Sequence, residues 1–162
     1  MFNRLALKQG DTIGILSTAR WIDESELQNA IAIFKSWGLK VVLGETISAR
    51  FNQFAGEDSV RANNLQAFMD NPEIKAIVCA RGGYGTIRIM EALDFTGFME
   101  NPKWICGFSD ITVLHAHIND KLGIPTLHCT MPFSFNNNSP LALSTLNAAL
   151  FGNPMGISCA HH

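Results

Sequence analysis

Apolar and polar positions alternate along the chain in blocks that predict strands and helices in turn. Short apolar runs are typical of buried parallel strands, and they cover Thr12–Leu16, Lys40–Leu43, Ile74–Ala80, Trp104–Cys106 and Thr126–Cys129. Apolar residues spaced three or four apart predict amphipathic helices, over Asp23–Trp37, Ser59–Met69, Thr86–Leu93, Ile111–Leu122 and Ser139–Leu150. This alternation predicts an α/β fold, a five-stranded parallel sheet with helices on both faces.

Local signals support several of these helix boundaries. Asp23 and Glu26 have the spacing of a capping box, and Asp58 is the expected cap of the second helix. Ser139 followed by Pro140 is typical of the first residues of a helix. The predicted helices therefore have defined starts.

Composition describes an ordinary globular domain. The 162 residues are 47% hydrophobic and 16% charged, and the net charge is −2. Without a basic run the chain gives no reason to expect nucleic acid, and its apolar runs are too short to span a membrane. The apolar stretch at the start is too short for a signal peptide. We therefore expect a cytoplasmic protein.

The four cysteines form no metal-binding motif. Cys79, Cys106 and Cys129 each lie at the end of a predicted strand, and Cys159 lies near the carboxyl terminus. No pair has C-x-x-C spacing. A zinc site built from the first three is an alternative, but we expect buried free thiols and no metal.

Two unusual loops directly follow strands, and the carboxyl ends of parallel strands share one edge of a sheet. The second loop, Gly107-Phe108-Ser109-Asp110, leaves almost no room between strand and helix. Such a tight turn lifts Ser109 out at the sheet edge, as in a nucleophile elbow. The alternative is that Ser109 only caps the following helix.

The first loop, Arg81-Gly82-Gly83-Tyr84-Gly85, is rich in glycine. Its glycines allow backbone N–H groups to point at a ligand. They are candidates for an oxyanion hole facing Ser109 or for a phosphate cradle, and the third alternative is a tight turn that binds nothing.

Histidines that would activate Ser109 are hard to find in the sequence. His115 and His117 lie on the following helix, whose rise of about 1.5 Å per residue carries them away from its start. His128 ends the fifth strand, where it reaches the same edge. We expect none of the three to be the partner of Ser109.

Several motifs occur in an order that resembles the LD-carboxypeptidase family, the S66-type serine peptidases that include murein tetrapeptide carboxypeptidase and the microcin C immunity hydrolases. The motifs are Phe54-Ala55-Gly56 with Arg61 and Leu65, Asp70–Ile77, Ala80–Gly85, Asn101–Trp104, Gly107–Thr112 and Leu114-His115. The resemblance runs from about Thr12 to Leu150.

This resemblance implies a flavodoxin-like, or class I glutamine-amidotransferase-like, domain with Ser109 as nucleophile. It implies that the Asp110 N–H and an N–H from the Gly82-Gly83 turn form the oxyanion hole, with Arg81 and Tyr84 as substrate-binding residues. The implied reaction needs no cofactor: it releases terminal D-alanine from murein peptides during peptidoglycan recycling. Family members are typically homodimers.

The sequence also departs from the family pattern. Members are about twice as long, and their second domain supplies the histidine and glutamate of a Ser-His-Glu triad. We therefore expect residues 1–151 to be the nucleophile domain and residues 152–162 a linker or tail toward an absent carboxy-terminal domain. The chain alone should then be essentially inactive.

Two further departures affect substrate contacts: Ser17-Thr18-Ala19 stands where the family has a Pro-Ser-Ser-like turn, and His128-Cys129-Thr130 where it has His-Gly-Pro. The alternatives are a hydrolase of peptidyl-nucleotide antibiotics, a non-catalytic phosphate- or nucleotide-binding module, and a structural partner subunit.

Overall fold

The computed structural model describes residues 5–154 and contains one five-stranded sheet. Its strands are β1 (Thr12–Leu16), β2 (Lys40–Leu43), β3 (Ile74–Cys79), β4 (Trp104–Gly107) and β5 (Leu127–His128). They lie in the order β2-β1-β3-β4-β5, and every neighbouring pair is parallel. The predicted parallel α/β fold is confirmed, and this strand order is the flavodoxin-like one.

In the described part of the chain six α-helices connect or flank these strands: α1 (Gln28–Ser36), α2 (Asp58–Asp70), α3 (Thr86–Ile89), α4 (Thr96–Glu100), α5 (Thr112–His117) and α6 (Pro140–Leu150). Short 3₁₀ segments cover Glu24–Leu27, Met90–Ala92, Ser109–Ile111 and Pro132–Asn137, and a π-helical turn covers Ile118–Leu122.

Alternate strand residues build a separate core on each face of the sheet. On one face Ile15 and Cys106 pack with Phe34 of α1 and with α6. On the other face Ile77 packs with Leu65 of α2 and with α5. Because helices cover both faces, the central strands β1, β3 and β4 are buried along most of their length, whereas the edge strands β2 and β5 are partly exposed.

The predicted helices lie where the sequence places them, but several differ in bounds or type. The segments predicted as single helices over Asp23–Trp37 and Thr86–Leu93 each divide into a 3₁₀ part and an α-helical part. Glu57, not Asp58, is the N-cap of α2, because Asp58 already lies in the helix with its carboxylate paired to Arg61 and Arg88. Helix α4 was not predicted. The segment predicted as one helix over Ile111–Leu122 instead contains 3₁₀, α and π turns in succession.

The predicted caps at both ends of the chain are confirmed. Asp23 accepts a hydrogen bond from Ser25 N–H and forms a capping box with Glu26. Ser139 caps α6, and Pro140 is its first residue. Between residues 5 and 154 we find no helix with the length and apolar character needed to cross a membrane.

Candidate active site

Ser109 lies at a sharp bend directly after β4. Its φ of +62° lies in the left-handed region, which costs a non-glycine residue about 1 kcal/mol or more. The residue before it, Phe108, is fully extended, and the 3₁₀ turn begins at Ser109 itself. Ser109 is exposed. The chain therefore accepts backbone strain to present this hydroxyl at the carboxyl edge of the sheet.

The glycine turn after β3 faces this bend. A side-chain carbon built onto Gly82 would lie 3.1 Å from the Ser109 Cβ and 3.3 Å from its Oγ. The two loops therefore lie on the same edge of the sheet and in near contact. This contact leaves room for the Ser109 side chain only because residue 82 has none.

A cavity of about 190 Å³ opens between the two loops. It is lined by Arg20, Arg81, Gly82, Gly83, Phe108, Ser109, Met131 and Phe133. Four of the predicted site residues, Arg81, Gly82, Gly83 and Ser109, thus come together here. A small cavity that places an exposed hydroxyl beside the backbone of a glycine turn is compatible with acyl-transfer chemistry.

Tyr84 and Asp110 point elsewhere. Tyr84 does not line the cavity; its side chain is 52% exposed and its ring lies 6.3 Å from the ring of Phe54. The Asp110 carboxylate accepts a hydrogen bond of 2.9 Å from the Thr86 N–H. The side chain of Asp110 therefore ties the elbow to the end of the glycine turn, while its backbone N–H follows the serine.

A buried hydrogen-bond network continues this connection. The hydroxyl groups of Thr86 and Thr18 lie 2.8 Å apart. The Arg61 guanidinium, which is fully buried, donates to the carbonyl oxygens of Thr18 and Gly85, the latter at 2.9 Å. Three loops at the carboxyl edge, after β1, β3 and β4, are thus held in one arrangement.

The buried Arg61 guanidinium is paired with an acid, Asp58. Burial lowers the pKa of Arg61, and the neighbouring Asp58 carboxylate opposes that shift. A hydrogen bond from Arg88, with help from Arg61, holds the pKa of Asp58 below its usual value. Arg61 belongs to one of the sequence motifs, but the sequence alone did not predict this structural role.

The histidines of the described residues lie outside the cavity. His115 is buried, with Nε2 lying 2.9 Å from the Gly107 carbonyl oxygen and Nδ1 unpartnered. Burial lowers its pKa. The ring of His128 lies 6.0 Å from that of His115. His115 thus supports the strand end below the elbow, and within residues 5–154 no histidine lines the cavity beside Ser109.

Arg20 was missed at the sequence level. It follows the Ser17-Thr18-Ala19 turn at the end of β1, which places it on the same edge as the two predicted loops. Gly83, with φ of +130°, is in close contact with it: a side-chain carbon on Gly83 would lie 2.9 Å from the Arg20 Cβ. Its position after a strand was the available signal.

The cysteines occupy the sheet rather than the cavity. Cys79 and Cys106 are buried and Cys129 is partly buried, and all three are free thiols. Burial raises the pKa of Cys79 to about 12. Within the described part of the chain no three His, Cys, Asp or Glu side chains are arranged to hold a metal ion. Cys159 lies outside the described residues.

Comparison with known proteins decides the family. Residues 13–129 match the LD-carboxypeptidase N-terminal domain of the Peptidase_S66 family. The chain belongs to the LD-carboxypeptidase family. Its resemblance in motifs and its flavodoxin-like sheet agree with this assignment.

Relatives within the LD-carboxypeptidase family include a Bacillus subtilis protein named as a probable murein peptide carboxypeptidase, which is 37% identical over 78% of this chain and 40% of that protein. The murein tetrapeptide carboxypeptidase of Pseudomonas aeruginosa is 31% identical over 72% of this chain and 38% of that protein. The structure of MccF in complex with glutamyl sulfamoyl guanosine superimposes with a TM-score of 0.82 at 26% identity, over 94% of this chain and 47% of that one. The chain spans less than half the length of each of these proteins.

Proposed function

We propose that this chain is the nucleophile-bearing half of a serine hydrolase that releases terminal D-alanine from murein tetrapeptide. The observation that carries the proposal is the left-handed backbone at Ser109, opposite the glycine turn. A strained serine at the edge of the sheet is explained by chemistry that needs its hydroxyl there. The murein peptide carboxypeptidases among the relatives supply the substrate class.

In the proposed reaction the Ser109 Oγ attacks the carbonyl carbon of the L-residue that precedes D-alanine. The carbonyl oxygen gains negative charge, which the backbone N–H of Asp110 and an N–H of the Gly82-Gly83 turn stabilise. Collapse of this intermediate breaks the peptide bond, and the D-alanine amine leaves with a proton. Water then hydrolyses the ester on Ser109 and restores the hydroxyl.

The general base in this proposal comes from outside residues 5–154. His115 is committed to the Gly107 carbonyl and is buried below the bend. We therefore propose that the base and the acid that orients it, a histidine and a glutamate, belong to the part of the relatives that this chain does not span. On this basis the chain alone has little activity, since loss of a triad member costs several orders of magnitude in rate.

Further features of the whole protein are also proposed. We propose a role in peptidoglycan recycling in the cytoplasm, a homodimeric assembly, and a division between a nucleophile domain at residues 1–151 and a linker at residues 152–162. Arg81, which lines the cavity, is proposed to bind substrate. Tyr84 stays a predicted substrate-binding residue although it lies outside the cavity lining.

Hydrolysis of a peptidyl nucleotide is the second candidate function. It is favoured by the likeness to MccF, whose solved complex contains glutamyl sulfamoyl guanosine. Both candidates use the same nucleophile and oxyanion hole, and they differ in the group that leaves. An assay that offers both substrates therefore separates them.

The test measures D-alanine release from murein tetrapeptide by the chain, alone and mixed with the carboxy-terminal half of the Bacillus subtilis relative. We expect release in the mixture that disappears when Ser109 is replaced by alanine, and little release by the chain alone. Ser134→Ala, a serine outside the cavity, is the matched control. Release that survives Ser109→Ala would show the proposal to be wrong, and cleavage of glutamyl sulfamoyl guanosine without release from murein tetrapeptide would favour the second candidate.

A further inference from the structure

Two arginine side chains line the cavity beside Ser109 from different loops. Arg20 extends from the turn after β1, and Arg81 from the start of the glycine turn. The Arg81 Nη1 donates to the Trp21 carbonyl at 3.3 Å, and its guanidinium lies 4.5 Å from the centre of the Phe133 ring. These contacts hold the Arg81 guanidinium in place and leave most of its N–H groups free.

Neither arginine has an acidic partner. Within residues 5–154, the arginines that form ion pairs are Arg61 and Arg88, and both pair with Asp58. No aspartate or glutamate lines the cavity in that same part of the chain. Asp110, next in sequence to Ser109, is hydrogen-bonded to the Thr86 N–H instead. The cavity therefore carries two uncompensated positive charges.

The backbone is built to bring Arg20 close. The side-chain carbon that alanine would have at position 83 would lie 2.9 Å from the Arg20 Cβ, well inside normal contact distance. The glycine at this position thus lets the chain carrying Arg20 pack directly on the turn that faces Ser109. This packing brings Arg20 and Arg81 to the same cavity, although they are about 60 residues apart in sequence.

We propose that Arg20 and Arg81 form a subsite for the free α-carboxylate of the amino acid that leaves from Ser109. This inference rests on the proposed function and extends it. An enzyme that removes one terminal residue must recognise the carboxylate next to the scissile bond, and paired guanidinium groups suit a carboxylate because they donate several N–H groups in a plane. The site thereby selects a chain terminus over an internal peptide bond.

The flanking aromatic rings fit the same role. Phe108 and Phe133 are both partly exposed at the cavity, 37% and 44%. They reduce the access of water to the bound carboxylate, which strengthens its interaction with the arginines. Met131 adds a further apolar wall that suits the methyl group of alanine.

The test measures binding of Nα-acetyl-L-lysyl-D-alanine to this chain by NMR titration, with its carboxy-terminal amide as the matched ligand. We expect the free acid to bind and the amide to bind at least about tenfold more weakly. Arg20→Ala and Arg81→Ala should each weaken binding of the acid about tenfold, and Arg81→Lys should weaken it less. Arg50→Ala, which removes a charge outside the cavity lining, should change it less than about twofold.

Each other result overturns the subsite. It fails if the acid does not bind at millimolar concentration, if acid and amide bind alike, or if Arg50→Ala weakens binding as much as Arg81→Ala. Tighter binding of adenosine 5′-monophosphate than of the acid, lost in the arginine variants, would reassign the subsite to a phosphate and overturn the carboxylate proposal.

The same titration on Ser109→Ala separates this inference from the proposed function. Binding of the acid should be unchanged in that variant, because the hydroxyl is needed for hydrolysis and not for the carboxylate. Binding that depends on the arginines, with no Ser109-dependent D-alanine release in the mixture with the carboxy-terminal half, would keep the subsite and contradict the hydrolase. Ser109-dependent hydrolysis in that mixture, without arginine-dependent binding, would support the hydrolase and contradict the subsite.

Discussion

The glycine turn over residues 81–85 and the elbow over residues 107–110 face each other, yet they reach unusual backbone angles in different ways. In the turn the positive φ values fall on Gly83 and Gly85, which adopt them without steric cost. In the elbow Gly107 has a φ of +158°, but a φ of +62° falls on Ser109, which carries a side chain. The turn is therefore shaped for its backbone amides, whereas the elbow is strained for the sake of one side chain.

The two bends also differ in what holds them. The turn is fixed from outside by Arg61, which donates to the Gly85 carbonyl, and through Thr86 by Asp110. The elbow is fixed by its own strand and helix: Ile111 packs where Gly107 has no side chain, and His115 is hydrogen-bonded to the Gly107 carbonyl. Substitutions that remove these contacts should therefore disturb the glycine turn more than the elbow.

The largest effect is expected from Arg61→Ala. It leaves the buried carbonyls of Thr18 and Gly85 without donors, so we expect the free energy of unfolding to fall by about 3 kcal/mol or more. Urea denaturation measures this loss. Arg88→Ala, which breaks the exposed ion pair to the same Asp58, is the control and should cost much less. Equal losses would mean that the network does not support the turn.

Gly83→Ala should have the next largest effect. The new methyl group meets the Arg20 Cβ and the residue must hold a φ of +130°, so we expect a loss of about 2–3 kcal/mol in the free energy of unfolding. Gly123→Ala is the matched control, because its φ is +65° but nothing lies within 4 Å of the new carbon. Its cost should be about 1 kcal/mol. Thermal unfolding of both variants makes the comparison.

Ser109→Gly should have the opposite sign. Glycine relieves the left-handed backbone, so we expect the free energy of unfolding to rise by about 1 kcal/mol relative to Ser109→Ala, which keeps the strain. Because both variants lack the hydroxyl, the difference between their free energies of unfolding measures the cost of the left-handed backbone at this position. If the alanine variant is as stable as the glycine variant, the elbow is not strained.

The smallest effect is a pH dependence from His115. Its pKa is lowered in the folded protein by burial, so the unfolded chain binds the proton more readily. The contribution of neutral His115 to stability is therefore complete above the unfolded pKa of about 6.5 and is lost as the pH falls through the lower folded pKa. Urea midpoints between neutral and mildly acidic pH should fall less steeply in His115→Gln. An unchanged slope would contradict this account.

Much of the fold was predictable because its strands are separate apolar runs. The bounds of β1 and β2 are those of the sequence pattern, and α6 begins at the predicted Ser139 cap. Helix α4 was not predictable: its five residues include Gly97 and bury only Phe98, too little for a periodic signal. The π turn after α5 leaves the spacing of apolar residues almost unchanged, so one continuous helix was predicted there.

Site residues were predictable where they follow strands closely. They were not predictable where their position depends on tertiary packing. Ser109 and the glycines follow strands, so the shared edge of a parallel sheet placed them together. The position of Asp58 beside a polar loop favoured a cap, but Asp58 lies inside α2, and its ion pair with Arg88 of α3 depends on how the two helices pack together. Arg20 lacks a motif of its own, and only the strand order brings it to the cavity.

The left-handed serine has an evolutionary consequence. Because glycine fits that backbone better, the folding requirement of this chain selects against the nucleophile, and only selection for turnover retains it. A duplicated copy freed from that selection would lose the hydroxyl early while remaining well folded. Homologues with glycine at this position that retain both arginines would then lack hydrolase activity but still bind their ligands.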